Sequence, residues 1–167
     1  LIELARKYDC LLMVDEAHSA CVLGKTGGGV DEYFGLQPDD IDITMGTLSK
    51  GLGTCGGYIA GRKCLIDYLR YNLPGFVFSV GISPALAAAS LEAIRLLQTR
   101  PEILEDLNRN IKVFVDEAHK RNLNTCLAGK TAIRPIHVGS DHDALAQSDK
   151  HGNRGGYVPT AKYPAAH

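Results

Sequence analysis

The chain has 167 residues, of which 45% are hydrophobic and 22% charged, enough to bury the core of about one domain. Eighteen Lys and Arg residues against nineteen Asp and Glu residues leave a net charge of -1, without the basic excess of nucleic-acid or anionic-membrane binders. The most apolar stretch, 84–97, still contains Ser90, Glu92 and Arg95, so no run approaches the ~20 residues of a membrane span. We expect a soluble globular protein without nucleic-acid partners.

The cysteines indicate the redox compartment of the protein, and the two ends of the sequence indicate whether it is part of a longer chain. Five cysteines form no Cys-x-x-Cys pair, which argues against a disulfide framework or a zinc knuckle and favours a reducing cytoplasm. Residues 1–8 read as the middle of an amphipathic helix without Met or an N-cap, and residues 163–167 stop without a closing element. We therefore expect a piece of a longer protein.

Predicted strands and helices alternate along the chain, which indicates an α/β fold. The apolar run 10–14 ends in Asp15 and is typical of a buried parallel strand. Ser83 and Pro84 stand in the order N-cap then first helical residue, and residues 24–35 read as a partly irregular Gly-rich loop. The predicted strands are 10–14, 41–45, 57–60, 75–80, 124–127, 133–138 and 157–158, and the predicted helices are 1–8, 62–71, 83–99, 101–121 and 141–150.

Lys50 follows the second predicted strand on a loop unusually rich in glycine. The neighbouring glycines leave room for close backbone approach, and they are Gly46, Gly51, Gly53, Gly56 and Gly57. A lysine has a pKa of about 10.4, so a catalytic lysine needs desolvation or a cationic neighbour to be neutral near pH 7. A surface lysine in a turn and a catalytic lysine are equally compatible with this motif alone.

The end of the first strand favours the catalytic interpretation. Asp15 and His18 lie three residues apart just beyond a strand predicted to be buried, and a buried carboxylate needs a cationic partner. Pyridoxal phosphate supplies one, because its ring nitrogen stays protonated when the ring acts as an electron sink. Thr47 and Ser49 add hydroxyl donors of the kind that bind phosphate. No metal site is predicted, because the His and Asp residues of 137–151 match no zinc or calcium spacing.

These motifs, in this order, resemble the α-oxoamine synthases, which are fold-type I pyridoxal-phosphate enzymes. The resemblance covers nearly the whole chain and rests on residues 14–19, 24–32, 46–50, 56–61, 76–84 and 158–164. It implies an α/β fold with part of a three-layer α/β/α large domain and the start of an α+β small domain. Residues 1–100 would belong to the cofactor-binding domain, and residues 101–167 would form a linking helix and an incomplete small domain.

The resemblance also implies roles for individual residues. Lys50 is the residue to which the cofactor binds covalently, Asp15 pairs with the pyridinium nitrogen, and His18 contacts the phenolic oxygen. Thr47 binds the phosphate, with Ser49 beside it. Ser79 falls where the family places a hydroxyl that reaches the phosphate bound to the neighbouring subunit, which implies a homodimer with shared active sites.

The activity implied is a decarboxylative condensation of an amino acid with an acyl-CoA or acyl-carrier thioester, which gives an α-aminoketone. Gly28 stands where the family commonly has arginine. The family's ring-stacking residue and its carboxylate-binding arginine would lie before and after this sequence. We therefore expect activity from the whole protein and not from this piece alone.

Two other functions are compatible with parts of the sequence. A class I or II aminotransferase uses the same lysine and aspartate, although His18 and the Asp-Glu-Ala-His string favour the synthases. A DEAH-box NTPase shares that string, and Gly24-Lys25-Thr26 imitates the end of a P-loop. However, Ser19 stands where a P-loop requires glycine, and the near-neutral charge gives no nucleic-acid footprint.

Overall fold

The computed structural model describes residues 1–126 and 131–161. Its contacts divide the chain into two compact units, Leu1–Asn110 and the described residues from Ile111 onward. The division falls inside the long helix that the sequence predicts as a link. The predicted boundary at residues 100 and 101 stays a prediction.

A three-stranded sheet organises the first unit. Its strands, in the order β1-β2-β3, are β1 (Met13–Asp15), β2 (Ile43–Thr47) and β3 (Gly57–Gly61). β1 and β2 are parallel, with Asp15 opposite Met45. β2 and β3 are antiparallel, with Thr47 opposite Gly57. Strands β1 and β2 therefore end at the same edge of the sheet, and β3 begins there.

The first two strands are present, but each begins later than the sequence predicts. Ahead of β1, the Leu12 N–H donates to Asp42 Oδ2 at 2.9 Å, and the Asp42 N–H donates to the Leu12 carbonyl at 3.0 Å. The Asp42 side chain thus accepts the Leu12 N–H, which would otherwise be available to extend the hydrogen bonding between β1 and β2. The prediction that the first strand is buried is wrong for this chain, because β1 pairs only with β2 among the described residues and Met13 is 52% exposed.

The helices agree with the sequence more closely than the strands. They are α1 (Ile2–Lys7), α2 (Val30–Phe34), α3 (Lys63–Asn72), α4 (Pro74–Val77), α5 (Pro84–Thr99), α6 (Glu102–Lys120) and α7 (Asp141–Gly152). Ser83 caps α5 as predicted, and its side chain accepts from the Leu86 N–H. Ser140 caps α7 by accepting from the Asp143 N–H, so local capping explains where both helices begin.

Two short helices correct the sequence-based prediction. The predicted strand 75–80 is wrong, because Pro74 occupies the first turn of α4 and the Leu73 carbonyl accepts from the N–H groups of Phe76 and Val77, both at 2.9 Å. Helix α2 lies in the segment predicted as an irregular loop. It ends at Gly35, whose φ of +64° is a left-handed conformation that glycine adopts without strain.

The predicted strands of the second unit do not form within the described residues. The His137 N–H donates to the Asn124 carbonyl at 2.8 Å, but no strand pairing follows from this bond among the described residues. The Val158 carbonyl accepts from Ser148 Oγ at 2.6 Å instead of from a neighbouring strand. Leu127 and the motif residues 162–164 lie outside the described part of the chain.

Few side chains in the described part of the chain are buried, and half of those are polar. In the described residues the buried apolar side chains are Ile41, Leu104 and Ala118, and the buried polar ones are Glu16, Ser19 and Ser90. No helix in the described ranges is both long enough and apolar enough to cross a membrane. Glu16 and Ser19 flank the turn that carries His18, and Ser90 bonds to Thr54 on the loop that carries Lys50.

Gly61 provides a test of the pairing between β2 and β3. A Cβ atom at this position would lie 2.5 Å from the Asp42 carbonyl oxygen, a backbone atom that cannot move aside easily. We expect Gly61→Ala to lower the free energy of unfolding by about 1–3 kcal/mol, as measured by urea denaturation. Gly75→Ala is the control, because nothing lies within 4 Å of its added Cβ; an equal loss in both variants would contradict this explanation.

Candidate active site

The parallel pairing of β1 with β2 places the predicted site residues at one edge of the sheet. Asp15 ends β1, and Thr47 ends β2 two positions beyond the partner of Asp15. Asp15 Oδ1 accepts from the Ala17 N–H at 2.8 Å. This bond begins a tight turn in which the Ser19 N–H donates to the Glu16 carbonyl at 3.1 Å, and the turn carries His18 beyond the end of the strand.

The structure brings His18 and Lys50 into direct contact. His18 Nε2 and Lys50 Nζ lie 2.7 Å apart although the residues are separated by 32 positions. Both side chains are exposed, so reagents and substrates reach the amine from solvent. An imidazole at hydrogen-bonding distance from a primary amine is able to exchange a proton with it.

Backbone and side-chain hydrogen bonds fix the loop that carries Lys50. Within the loop, the Gly53 N–H donates to the Lys50 carbonyl at 3.0 Å, and the Thr54 N–H donates to the Leu48 carbonyl at 2.8 Å. Thr54 Oγ1 also shares a hydrogen bond of 2.7 Å with Ser90 Oγ, and Ser90 is buried on α5. The loop is therefore attached to a helix as well as to the sheet.

Two of the glycines near Lys50 are required by close contacts within the protein itself. A Cβ at Gly51 would lie 2.6 Å from Cys21 Cβ, and a Cβ at Gly46 would lie 2.3 Å from Cζ of the Tyr58 ring. Burial raises the pKa of the Tyr58 hydroxyl, and the Glu16 carboxylate raises it further. These glycines thus allow the Lys50 loop to pack against Cys21 and Tyr58.

The predicted phosphate-binding hydroxyls form a pair beside Lys50. Thr47 Oγ1 and Ser49 Oγ lie 2.9 Å apart, and Thr47 Oγ1 donates to the Gly56 carbonyl at 3.1 Å. Ser79 lies just beyond α4, where its hydroxyl donates to the Phe76 carbonyl at 3.0 Å. The described contacts of Ser79 are therefore local, whereas Thr47 and Ser49 adjoin the lysine.

The buried carboxylate at the end of β1 is Glu16 and not Asp15, which the sequence predicts to be buried. Asp15 is exposed, whereas Glu16 is 3% exposed. Glu16 Oε2 accepts from Ser19 Oγ at 2.8 Å and from the Val30 N–H at 2.9 Å. Neighbouring residues at a strand end point to opposite sides, so adjacency in sequence does not reveal which carboxylate is buried. Sequence reasoning assigned no role to Glu16.

The Gly-rich loop folds around a second carboxylate that sequence reasoning also left unassigned. Glu32 Oε2 accepts from the Thr26 N–H at 3.0 Å, from Thr26 Oγ1 at 3.2 Å and from the Gly28 N–H at 2.9 Å. The Thr26 and Gly28 backbone hydrogen bonds hold the Glu32 pKa below its ordinary value. The loop that has glycine in place of the family's arginine is thus closed by a carboxylate on α2.

The chain is similar to known proteins along nearly its whole length. Residues 1–166 match the family described as Aminotransferase class I and II. The chain is 42% identical over 164 residues to 8-amino-7-oxononanoate synthase 1 of Bacillus velezensis, an alignment that spans 98% of this chain and 41% of that protein. It thus spans about two fifths of the length of this curated relative.

Two solved structures have the same fold. A serine palmitoyltransferase variant from S. paucimobilis with bound PLP matches with a TM-score of 0.89 and 26% identity, over 99% of this chain and 44% of that one. The 8-amino-7-oxononanoate synthase of Francisella tularensis matches with a TM-score of 0.85 and 25% identity, over 97% of this chain and 48% of that one.

The chain belongs to the aminotransferase class I and II family, whose fold is that of the fold-type I pyridoxal-phosphate enzymes. Within that family, the resemblance to the α-oxoamine synthases is confirmed by its similarity to 8-amino-7-oxononanoate synthases and a serine palmitoyltransferase. The predicted α/β fold class is confirmed by the same structures. The DEAH-box alternative gains no support from them.

The hydrogen bonds of Glu32 predict a pH response of the Gly-rich loop. A lowered pKa means that the loop contacts are fully present above the ordinary carboxyl value of 4.5 and are lost as the pH falls through the Glu32 pKa. We expect the amide NMR shifts of Thr26 and Gly28 to titrate together with a midpoint below 4.5. Glu32→Gln removes the titrating group, so persistence of the transition in that variant would contradict the assignment.

Proposed function

We propose that the whole protein is a pyridoxal-phosphate-dependent acyltransferase that condenses an amino acid with an acyl thioester, with release of CO2 and the free thiol, to give an α-aminoketone. The observation that carries this proposal is the 2.7 Å contact of His18 with Lys50, at the edge of the sheet where Asp15 and Thr47 also end their strands. The names of the relatives support the reaction class.

The residues at this edge fit the chemistry of pyridoxal phosphate. Lys50 offers a primary amine for the aldehyde, and the paired hydroxyls of Thr47 and Ser49 offer donors for phosphate. Asp15 offers a carboxylate for the protonated ring nitrogen and His18 an imidazole for the phenolic oxygen. Asp15 and His18 belong to one tight turn, so they would meet the cofactor from the same side.

Each residue of the set would perform a distinct step. When bound, the cofactor supplies an electron sink for the carbanion formed at the substrate α-carbon. The Lys50 amine would remove the substrate α-proton as a general base. Asp15 would hold the proton on the ring nitrogen, and Thr47 and Ser49 would orient the phosphate. His18 stabilises negative charge that develops on the thioester oxygen during attack.

A class I or II aminotransferase reaction is the second candidate, because the matched family carries that description. Lys50 and Asp15 would serve both reactions. His18, placed against the lysine amine, favours the condensation, since it provides a hydrogen-bonding group for the carbonyl oxygen of the acyl donor. Release of free thiol from an acyl-CoA distinguishes the two reactions.

We also propose a homodimer in which Ser79 reaches the phosphate bound to the neighbouring subunit. The segment around Ser79 exposes large apolar side chains, with Phe78 87% and Val80 fully exposed. Such a patch is typical of a protein–protein interface.

The cytoplasm is the proposed location, because all five cysteines are free.

Lys50 is the most direct test of the cofactor assignment. We expect borohydride reduction of the whole protein with pyridoxal phosphate to label the peptide that contains Lys50, and Lys50→Ala to abolish both this label and turnover. Peptide mapping by mass spectrometry identifies the modified residue. Asp15→Asn is the matched variant, which should keep the label but lose most turnover, because the ring proton is no longer held. An unlabelled Lys50 in the folded holoenzyme would refute the assignment.

Subunit mixing tests the role of Ser79. If Ser79 serves the neighbouring subunit, Lys50→Ala and Ser79→Ala subunits mixed in equal amounts form heterodimers with one intact site. Half of the dimers would then carry one of two sites, so activity should recover to about a quarter of the wild-type value. Each variant alone provides the baseline. No recovery in a mixture shown by mass spectrometry to contain heterodimers would place Ser79 in its own subunit's site, and a fully active Ser79→Ala variant would place it in neither site.

A further inference from the structure

Glu16 is a buried ionisable group at the site to which the proposed reaction gives no task. It is 3% exposed, and a carboxylate withdrawn from water is tolerated only when hydrogen bonds replace its hydration. Both described side-chain bonds of Glu16 are made to the same oxygen, Oε2, by the Ser19 hydroxyl and the Val30 N–H. The structural question is therefore what this buried carboxylate holds in place.

The contacts of Glu16 join three segments that are distant in sequence. Its own N–H donates to the Met45 carbonyl on β2 at 2.7 Å. Its side chain binds Ser19 in the turn after β1, and it also binds Val30, 14 positions away, at the start of α2. The strand that leads to Lys50, the turn and the Gly-rich loop therefore meet at one residue.

Gly29 shows that this junction is closely packed. Its φ is +89°, a region that residues with a side chain rarely adopt, and a Cβ added there would lie 2.1 Å from Glu16 Oε2. The Gly29 N–H donates to the Leu23 carbonyl at 2.9 Å, which presents the following Val30 N–H to the carboxylate. The loop backbone is thus shaped to reach Glu16.

His18 lies inside the turn that Glu16 closes. The Glu16 carbonyl accepts from the N–H groups of Ser19 and Ala20 at 3.1 and 3.0 Å, and the Glu16 carboxylate accepts from the Ser19 hydroxyl at 2.8 Å. The His18 backbone is therefore held on both sides while its ring stays exposed and meets Lys50 Nζ.

We infer that Glu16 is a positioning residue, which holds the Glu16–Ser19 turn so that the His18 ring stays against the Lys50 amine. Glu16 is not a catalytic residue, because it acts through His18. The value of this positioning for turnover rests on the proposed function, but the positioning itself is a property of the protein without cofactor.

The test measures the reactivity of Lys50 in cofactor-free protein. Reductive methylation with formaldehyde and cyanoborohydride, followed by peptide mass spectrometry, gives the rate at the Lys50 amine. The hydrogen bond to His18 competes with attack of the Lys50 amine on formaldehyde. We therefore expect His18→Ala to raise the methylation rate at Lys50 by about two- to tenfold. Glu16→Ala should raise it by a similar factor. The double variant should react no faster than His18→Ala, because the contact is already lost.

Glu32→Ala is the matched control, since Glu32 is a second glutamate that binds the same Gly-rich loop but has no bond to the His18 turn in the described contacts. It should leave the rate at Lys50 unchanged. A wild-type rate in Glu16→Ala, a wild-type rate in His18→Ala, or multiplying effects in the double variant would overturn the inference. A purely structural role for Glu16 predicts multiplying effects, because loosening of the fold does not depend on His18.

Milder variants keep the test decisive if Glu16→Ala does not fold, as judged by circular dichroism and thermal melting. Glu16→Gln keeps an acceptor oxygen, and Ser19→Ala removes only the hydroxyl donor. Each should raise the methylation rate at Lys50 less than His18→Ala does. When either is combined with His18→Ala, the rate should not exceed that of His18→Ala alone. Covalent labelling of Lys50 by pyridoxal phosphate is measured separately. Loss of that label in the wild-type protein would contradict the proposed function, whereas unchanged methylation rates in the variants would contradict the positioning.

Discussion

The parallel pairing of β1 with β2 is the constraint on which the site depends. Because Asp15 lies opposite Met45, both strands end at the same edge, and the segments that follow them must leave the sheet side by side. One segment carries His18 and the other carries Lys50. Their 2.7 Å contact is a consequence of strand register, since displacement of β1 by one residue would also turn its side chains to the other face.

Two glutamates organise the backbone around that edge, and they do so in different surroundings. Glu16 is buried and joins β2, the turn and the start of α2. Glu32 is more accessible to solvent and gathers the N–H groups of the Gly-rich loop. In both cases a carboxylate satisfies amides that the irregular loop leaves without regular partners. The glycines of this region therefore serve internal packing as well as any ligand.

Apolar burial among the described residues is sparse. Only Ile41, Leu104 and Ala118 are buried apolar residues among those described, while Phe78 and Val80 are almost completely exposed. The apolar surface near Ser79 adjoins a residue that the family resemblance associates with the neighbouring subunit. This coincidence of exposed apolar area and a predicted shared-site residue is the physical basis for the proposed dimer.

Local chemistry determined the parts of the fold that sequence analysis predicted well. Ser83 and Pro84 fixed the start of α5, and apolar periodicity fixed α6, because capping and helical periodicity act within a few residues. The segment 75–80 failed as a strand for a related reason, since Pro74 starts a helical turn there. In the second unit, the predicted strands lacked pairing partners among the described residues, and a strand cannot be stable without one.

For the site, the sequence by itself determined which chemical groups are present, and the family resemblance of its motifs implied roles for Asp15, His18, Thr47 and Lys50. Only the tertiary structure decided which of Asp15 and Glu16 is buried and where the His18 ring lies. Those facts depend on the register of β1 with β2 and on the approach of Gly29 to Glu16. Both are contacts between segments distant in sequence, which residue type and local spacing do not encode.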